Sequence, residues 1–142
     1  MALKIIDHGT VEYKQMVKLR DDLLRKPLGL GFTEAELENE KENVLIAAFE
    51  EERILGCCML VEERADAVRL RQMAVLNDLQ GKGVGRALMN FAENIARDRG
   101  YKFITMHARK NAVGFYEKLE YRVTGDEFVE ITIPHFRMEK KL

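Results

Sequence analysis

Leu79-Gln80-Gly81-Lys82-Gly83-Val84-Gly85-Arg86-Ala87-Leu88-Met89 joins two kinds of chain. Before it, Val68 to Leu76 reads as an extended run. Behind it, Leu88, Phe91, Ala92 and Ile95 recur at helical spacing until Gly100, the expected C-terminal cap. Glycines alternate at positions 81, 83 and 85. Glycine reaches backbone conformations closed to other residues and lets N–H groups approach a ligand unshielded. A helix N-terminus directly behind such a turn adds partial positive charge. Together these features predict a cradle for phosphate.

Two familiar nucleotide loops do not fit. A dinucleotide fingerprint needs glycine or alanine where Arg86 stands, and needs a βαβ unit before it. A P-loop needs Ser or Thr after Gly-Lys, but Gly81-Lys82 is followed by Gly83.

Outward from the turn, Leu3 to Ile6 reads as a short strand. Thr10 precedes a helix with Met16, Leu19, Leu23 and Leu24 on one face, ended by Pro27. Thr33-Glu34-Ala35-Glu36 is a capping box for a short acidic helix. Val44 to Glu50, Arg53 to Glu62 and Ala67 to Leu76 are strands joined by short charged turns, hence antiparallel neighbours. After the central helix come a strand over Lys102 to Ala108, a short helix over Ala112 to Leu119, and two strands, Tyr121 to Val129 and His135 to Lys140, with Pro134 breaking the run. The order β-α-α-β-β-β-α-β-α-β-β predicts an α/β (α+β) fold with a mixed sheet, in one domain over residues 1–142.

Composition narrows the function classes. The 142 residues are 46% hydrophobic and 33% charged, which suits a packed core rather than disorder. The net charge of −1 argues against nucleic acid as a bulk partner. No apolar run approaches the roughly 20 residues of a membrane span, and the N-terminal residues lack the apolar stretch of a signal peptide. The only cysteines, Cys57 and Cys58, are adjacent and cannot staple distant segments, so a reducing cytoplasm is expected.

The segment Gln80 to Gly85 has the form Gln-x-x-Gly-x-Gly and resembles the acyl-CoA-binding motif of the GCN5-related N-acetyltransferase (GNAT) superfamily. Ala112-Val113-Gly114-Phe115-Tyr116-Glu117-Lys118-Leu119-Glu120-Tyr121 resembles the second motif of that family, and Ile133-Pro134-His135 is similar to a subgroup of small bacterial members. The element order matches over essentially the whole chain. The resemblance implies a mostly antiparallel sheet, splayed between its fourth and fifth strands to admit a pantetheine arm. Backbone groups of Met73, Ala74 and Val75 would bind that arm. The N–H groups of Gln80, Gly81, Lys82, Gly83, Val84, Gly85 and Arg86 would cradle a pyrophosphate. Arg109 stands where the family carries asparagine, and Glu120 where it carries glycine.

The implied reaction is acetyl-CoA-dependent N-acetylation of a small-molecule or peptide amine, without a metal. A non-catalytic acyl-CoA-binding or sensor module and transfer of longer acyl groups are the alternatives, and a homodimer is compatible with either. Tyr116 is the expected acid for the leaving thiolate, its ordinary pKa of about 10 matching a thiol's. An α-amine needs only about 1 kcal/mol to become neutral at pH 7 but a lysine about 4.6. Glu127, Glu130 and His135, in the terminal region that resembles the subgroup motif, could each relay a proton, but surface or turn roles suit them better, so no base is assigned. Structural roles are expected for His8 and His107, a core role for one of the two cysteines, and a solvated face for the acidic run Glu34 to Glu42.

Overall fold

The computed structural model describes residues 1–142. Strand β1 (Ala2–Ile6) leads to helix α1 (Val11–Arg20), and a short helix α2 (Glu34–Glu38) precedes three strands, β2 (Val44–Glu50), β3 (Arg53–Arg64) and β4 (Ala67–Val75). The long helix α3 (Val84–Asp98), strand β5 (Phe103–Arg109) and the one-turn α4 (Val113–Glu117) follow, then β6 (Arg122–Val123), β7 (Phe128–Glu130) and β8 (Ile133–Lys141). All strands form one sheet in the order β1-β2-β3-β4-β5-β8-β6, with β7 also on β8. Every pairing is antiparallel except β4 with β5, so the sheet is mixed and mostly antiparallel, as expected.

Helices cover both faces of the sheet. One face packs against the apolar stripe of α3, where Leu88, Met89, Ala92 and Ala96 meet Ile46, Cys58, Leu70, Ile104 and Met138. Leu88 and Met89 are fully buried, worth about 1.5–3 kcal/mol each in apolar transfer. The other face packs against α1, where Tyr13, Met16 and Leu19 meet Leu45, Ala47, Cys57 and Met59. The adjacent cysteines therefore serve different layers. Both are core residues rather than one, and burial pushes both thiols well above their usual range.

Local chemistry sets the helix starts. The Thr10 hydroxyl accepts the Tyr13 N–H at 3.1 Å, and Thr33 with Glu36 forms the predicted capping box. The acidic run is not simply a solvated face. Glu40, past α2, is buried and bound through both oxygens to the fully buried Arg20, at 2.8 and 2.6 Å, while Tyr13 donates to it at 2.8 Å. This bidentate pair locks the segment after α2 onto α1.

The C-terminal region departs from expectation. Tyr121 to Val129 is not one strand: it divides into β6 and β7 around Gly125, giving one strand more than the expected order. Pro134 lies inside β8 rather than breaking it, opposite Val129 in a hairpin. The hairpin turn is Ile131-Thr132, both at positive φ (51° and 63°), positions where Asn-Gly is the usual sequence.

Candidate active site

Strands β4 and β5 pair only from Ala67 with Phe103 to Leu70 with Met106. Beyond Leu70 they separate, and β5 stays with β8 as far as Arg109 opposite His135. The parting is assisted by an irregularity in β4. Met59 pairs Arg71 and Cys57 pairs Ala74, so Gln72 and Met73 share one position of β3, and Gln72 takes φ 57°. Such a bulge bends its strand and increases local twist. A cleft of about 870 Å³ opens between the two strands, floored by residues 71–75 and 106–109.

The glycine turn forms one end. Of the expected residues, Met73, Ala74, Val75, Gln80, Gly81, Gly83, Gly85, Arg86 and Tyr116 line the cleft. Lys82 and Val84 do not: Lys82 is exposed, and the Val84 side chain is buried against the core. The turn's hydrogen bonds divide its N–H groups into two sets. Gln80 N–H donates to Asn77 C=O at 3.4 Å and Lys82 N–H to Leu79 C=O at 3.2 Å, so both are already engaged. The N–H groups of Gly81 and Gly83 have no backbone acceptor, and neither do those of Val84, Gly85 and Arg86 in the first turn of α3. Five free donors therefore converge at a helix N-terminus. Gln80 instead braces the loop, its Nε2 donating to Val75 C=O and Asn77 Oδ1, both at 3.2 Å.

The three glycines do different work. Gly81 and Gly83 sit at φ 80° and 91°, where a side chain is strained. Gly85 is ordinary helix, and a Cβ there would stand 3.1 Å from Cζ of Phe115. Gly85 thus admits Phe115 of α4 against the start of α3. Gly56 plays a comparable part below the site, since a Cβ on it would lie 2.9 Å from Ala74 C=O. Its spacing in the sequence carries no motif that would single it out.

Tyr116 is buried beneath the cleft, in edge contact with Phe115 (5.0 Å) and Tyr121 (5.9 Å). Its hydroxyl makes no hydrogen bond to a protein group, whereas that of Tyr121 donates to Glu93 at 2.9 Å. Burial, followed by the neighbouring Cys58, pushes the Tyr116 hydroxyl well above the usual tyrosine value. The expected match with a thiol does not hold in this burial: the group stays protonated and acts as a hydrogen-bond donor. Glu120, standing where the family carries glycine, takes φ 73° at the end of this motif. Arg109 lines the cleft and donates to Leu24 C=O at 3.4 Å.

The other end of the cleft holds a polar cluster. His107 of β5, for which a structural role is expected, lines the cleft. Its Nδ1 lies 2.8 Å from an Arg69 guanidinium nitrogen and 3.1 Å from Glu130 Oε1, and all three residues line the cleft. Arginine only donates and a carboxylate only accepts, so Nδ1 serves one of them at a time. Bonded to Arg69 it carries a lone pair, and bonded to Glu130 it carries the proton. His135 Nε2 stands 3.8 Å from Glu130 Oε2, while its Nδ1 is fixed on Ile133 C=O at 2.7 Å. Burial alone would raise the Glu130 carboxyl. The His107 hydrogen bond and the charges of His107 and Arg69 outweigh it and hold Glu130 below the usual carboxylate range. Glu127, by contrast, is exposed and paired with Lys110 at 2.8 Å, and His8 is held on Leu37 C=O at 2.8 Å.

Comparison with known proteins places this architecture. The family model described as the acetyltransferase (GNAT) domain matches residues 31–142. The chain belongs to the GNAT acetyltransferase family. An uncharacterized N-acetyltransferase of Bacillus subtilis (strain 168), YjcF, is 33% identical over 139 residues, covering 96% of this chain and 97% of that one. Against two further B. subtilis relatives the match spans about half the length of either protein. Among solved structures, a putative N-acetyltransferase from Lactobacillus plantarum superposes with a TM-score of 0.86 at 23% identity, covering 100% of this chain and 99% of that one. An aminoglycoside 6'-N-acetyltransferase complexed with coenzyme A gives 0.82 at 20% identity, over 99% and 97%. These structural likenesses establish the fold. No helix of this chain is long and apolar enough to cross a membrane.

Proposed function

We propose that this GNAT member is an acetyl-CoA-dependent N-acetyltransferase that acetylates a primary amine directly. Acetyl-CoA supplies an acetyl group activated as a thioester, which the amine takes up with release of the CoA thiol. The observation that carries this reading is the juxtaposition along one cleft of the glycine turn with its unpaired backbone donors, a partnerless Tyr116 hydroxyl and the Glu130–His107 pair.

The N–H groups of Gly81, Gly83, Val84, Gly85 and Arg86 hold the pyrophosphate, with Arg86 adding a charge. Lys82, pointing away from the cleft, contributes through the shape of the turn. The edge of β4 from Met73 to Val75, left without a strand partner, receives the pantetheine arm as a strand would and offers a donor to the carbonyl oxygen. Part of that edge is already used, since Val75 C=O accepts from Gln80. Tyr116 donates its hydrogen bond to the departing sulfur. The Glu130–His107 pair takes the proton that the amine gives up, with His107 Nδ1 turning from Arg69 to Glu130 as the charge moves.

Two assays test the reading together. Acetyl-CoA is expected to raise the melting temperature, and thiol release is expected when an amine acceptor is added. A thermal shift without thiol release across an amine panel would favour a non-catalytic acyl-CoA-binding module, and no shift would overturn the donor assignment.

A further inference from the structure

Charge within the cleft is unbalanced. Six cationic side chains line it, Arg25, Arg69, Arg71, Arg86, Arg109 and Lys118, against the single carboxylate of Glu130. Arg86 and Lys118 belong to the donor end, on α3 and just past α4. Most of the others have protein partners. Arg25 stacks on Phe32 at 4.3 Å and lies 3.5 Å from Glu36, Arg109 donates to Leu24 C=O, and Arg69 reaches His107.

Arg71 is the exception. It is exposed and in no ion pair. Beside the cleft it also borders a small polar hollow containing Glu36 and Glu40, but Arg25 and Arg20 already hold those carboxylates. Arg69 and Arg71 are two residues apart on regular β4, before the bulge, so they share a face about 7 Å apart. Arg69 stands 3.7 Å from Glu130. A small ligand entering here meets an ionised carboxylate and an imidazole beside Arg69, and an unpaired guanidinium at the next position on that face of β4.

We propose that the acceptor is an amine carrying its own anionic group, its ammonium at Glu130 and His107 and its anion on Arg71, as a free amino acid would present them. This rests on the acetyl-transfer reading above and deepens it. Guanidinium binds carboxylate or phosphate through two parallel hydrogen bonds, and Arg71 has both donors free for that purpose. A polyamine or aminoglycoside would instead bring several positive charges to a wall already rich in them. Coulomb repulsion from that wall disfavours it.

The test is thiol release from acetyl-CoA with matched acceptors: leucine, leucinamide, isoamylamine, phosphoethanolamine and spermidine. Leucine or phosphoethanolamine is expected to give a kcat/KM at least about tenfold above the neutral and polycationic amines, and the two together separate carboxylate from phosphate. Arg71→Gln is expected to raise the KM of the preferred acceptor about tenfold, with Arg71→Lys recovering part of it. Arg71 is exposed and unpaired, so the melting temperature and the acetyl-CoA thermal shift of both variants should match the parent. Preference for leucinamide, isoamylamine or spermidine would overturn this inference and leave acetyl transfer standing. Thiol release from no amine, with acetyl-CoA still bound, would overturn the transfer reading and this inference with it.

Discussion

The two ends of the cleft are made of different materials. At the donor end the groups on offer are backbone N–H donors of residues 81 and 83–86, aimed by glycine conformations and by the start of a fifteen-residue helix. At the other end they are side chains: Arg69 and Arg71 from β4, His107 from β5, Glu130 from β7 and His135 from β8. A backbone cradle fits one repeating chemical group and is insensitive to most substitutions nearby. A side-chain cluster is changed one residue at a time. The first suits an invariant donor molecule, and the second suits an acceptor that differs among members of one family.

This contrast can be broken at several points. The largest effect is expected beside the polar end, where Glu40→Ala leaves the fully buried Arg20 without its carboxylate. Loss of a buried partner costs about 3–5 kcal/mol, and urea denaturation should show the midpoint fall accordingly. At the donor end, Gly83→Val forces a branched residue to φ 91° and is expected to abolish the thermal shift given by acetyl-CoA. At ligand concentrations near 100 times Kd that shift represents about 2.7 kcal/mol of binding. If Gly83→Val keeps the full shift, the cradle is not where the donor binds.

Tyr116→Phe should lower kcat on the order of 10²-fold while leaving the thermal shift intact. Because no protein group bonds the Tyr116 hydroxyl, its removal costs the fold little, and a loss of rate reports on chemistry. A change in melting temperature without a change in rate would make the residue structural.

Glu130 gives a pH signature. Its carboxyl is held below the unfolded value of about 4.3, so its ionised contacts contribute stability above that pH. The contribution is lost as pH falls through the lower folded value. Glu130→Gln is therefore expected to flatten the melting temperature's dependence on pH in the acid range, read by thermal scans from about pH 6 to about pH 3. An unchanged profile would mean that His107 and Arg69 do not favour the carboxylate. The smallest effect is expected at Glu120, whose φ of 73° costs a non-glycine residue about 1–2 kcal/mol. Glu120→Gly should raise the melting temperature by a few degrees with no effect on activity.

The difference between the two ends also explains what could be read from the chain. The donor end is legible because its parts are consecutive: alternating glycines, the strand before them and the helix stripe after them all lie between residues 68 and 100. The splay of the sheet is implied by the family resemblance alone, and the bulge at Gln72 and Met73 that assists it carries no sequence signal. The polar end joins residues 69, 107, 130 and 135, which come together only through strand register. His107 pairs Arg137 in the β5–β8 ladder, and no spacing announces its bond to Glu130. The hairpin that delivers Glu130 turns at Ile131-Thr132, a sequence that gives no turn signal. Glu40 was hidden among similar residues, because burial depends on Arg20, twenty positions earlier. Local conformation announces itself in sequence, and long-range pairing of side chains does not.

The central claim is that the free N–H groups of the glycine turn bind the phosphates of acyl-CoA. Amide resonances followed by NMR during titration with coenzyme A test it most directly. Gly81, Gly83, Val84, Gly85 and Arg86 are expected to shift most and in parallel, with Gln80 and Lys82, whose N–H groups are already bonded, shifting less. Binding that leaves these five resonances in place, or that centres its shifts on another surface, would contradict the account.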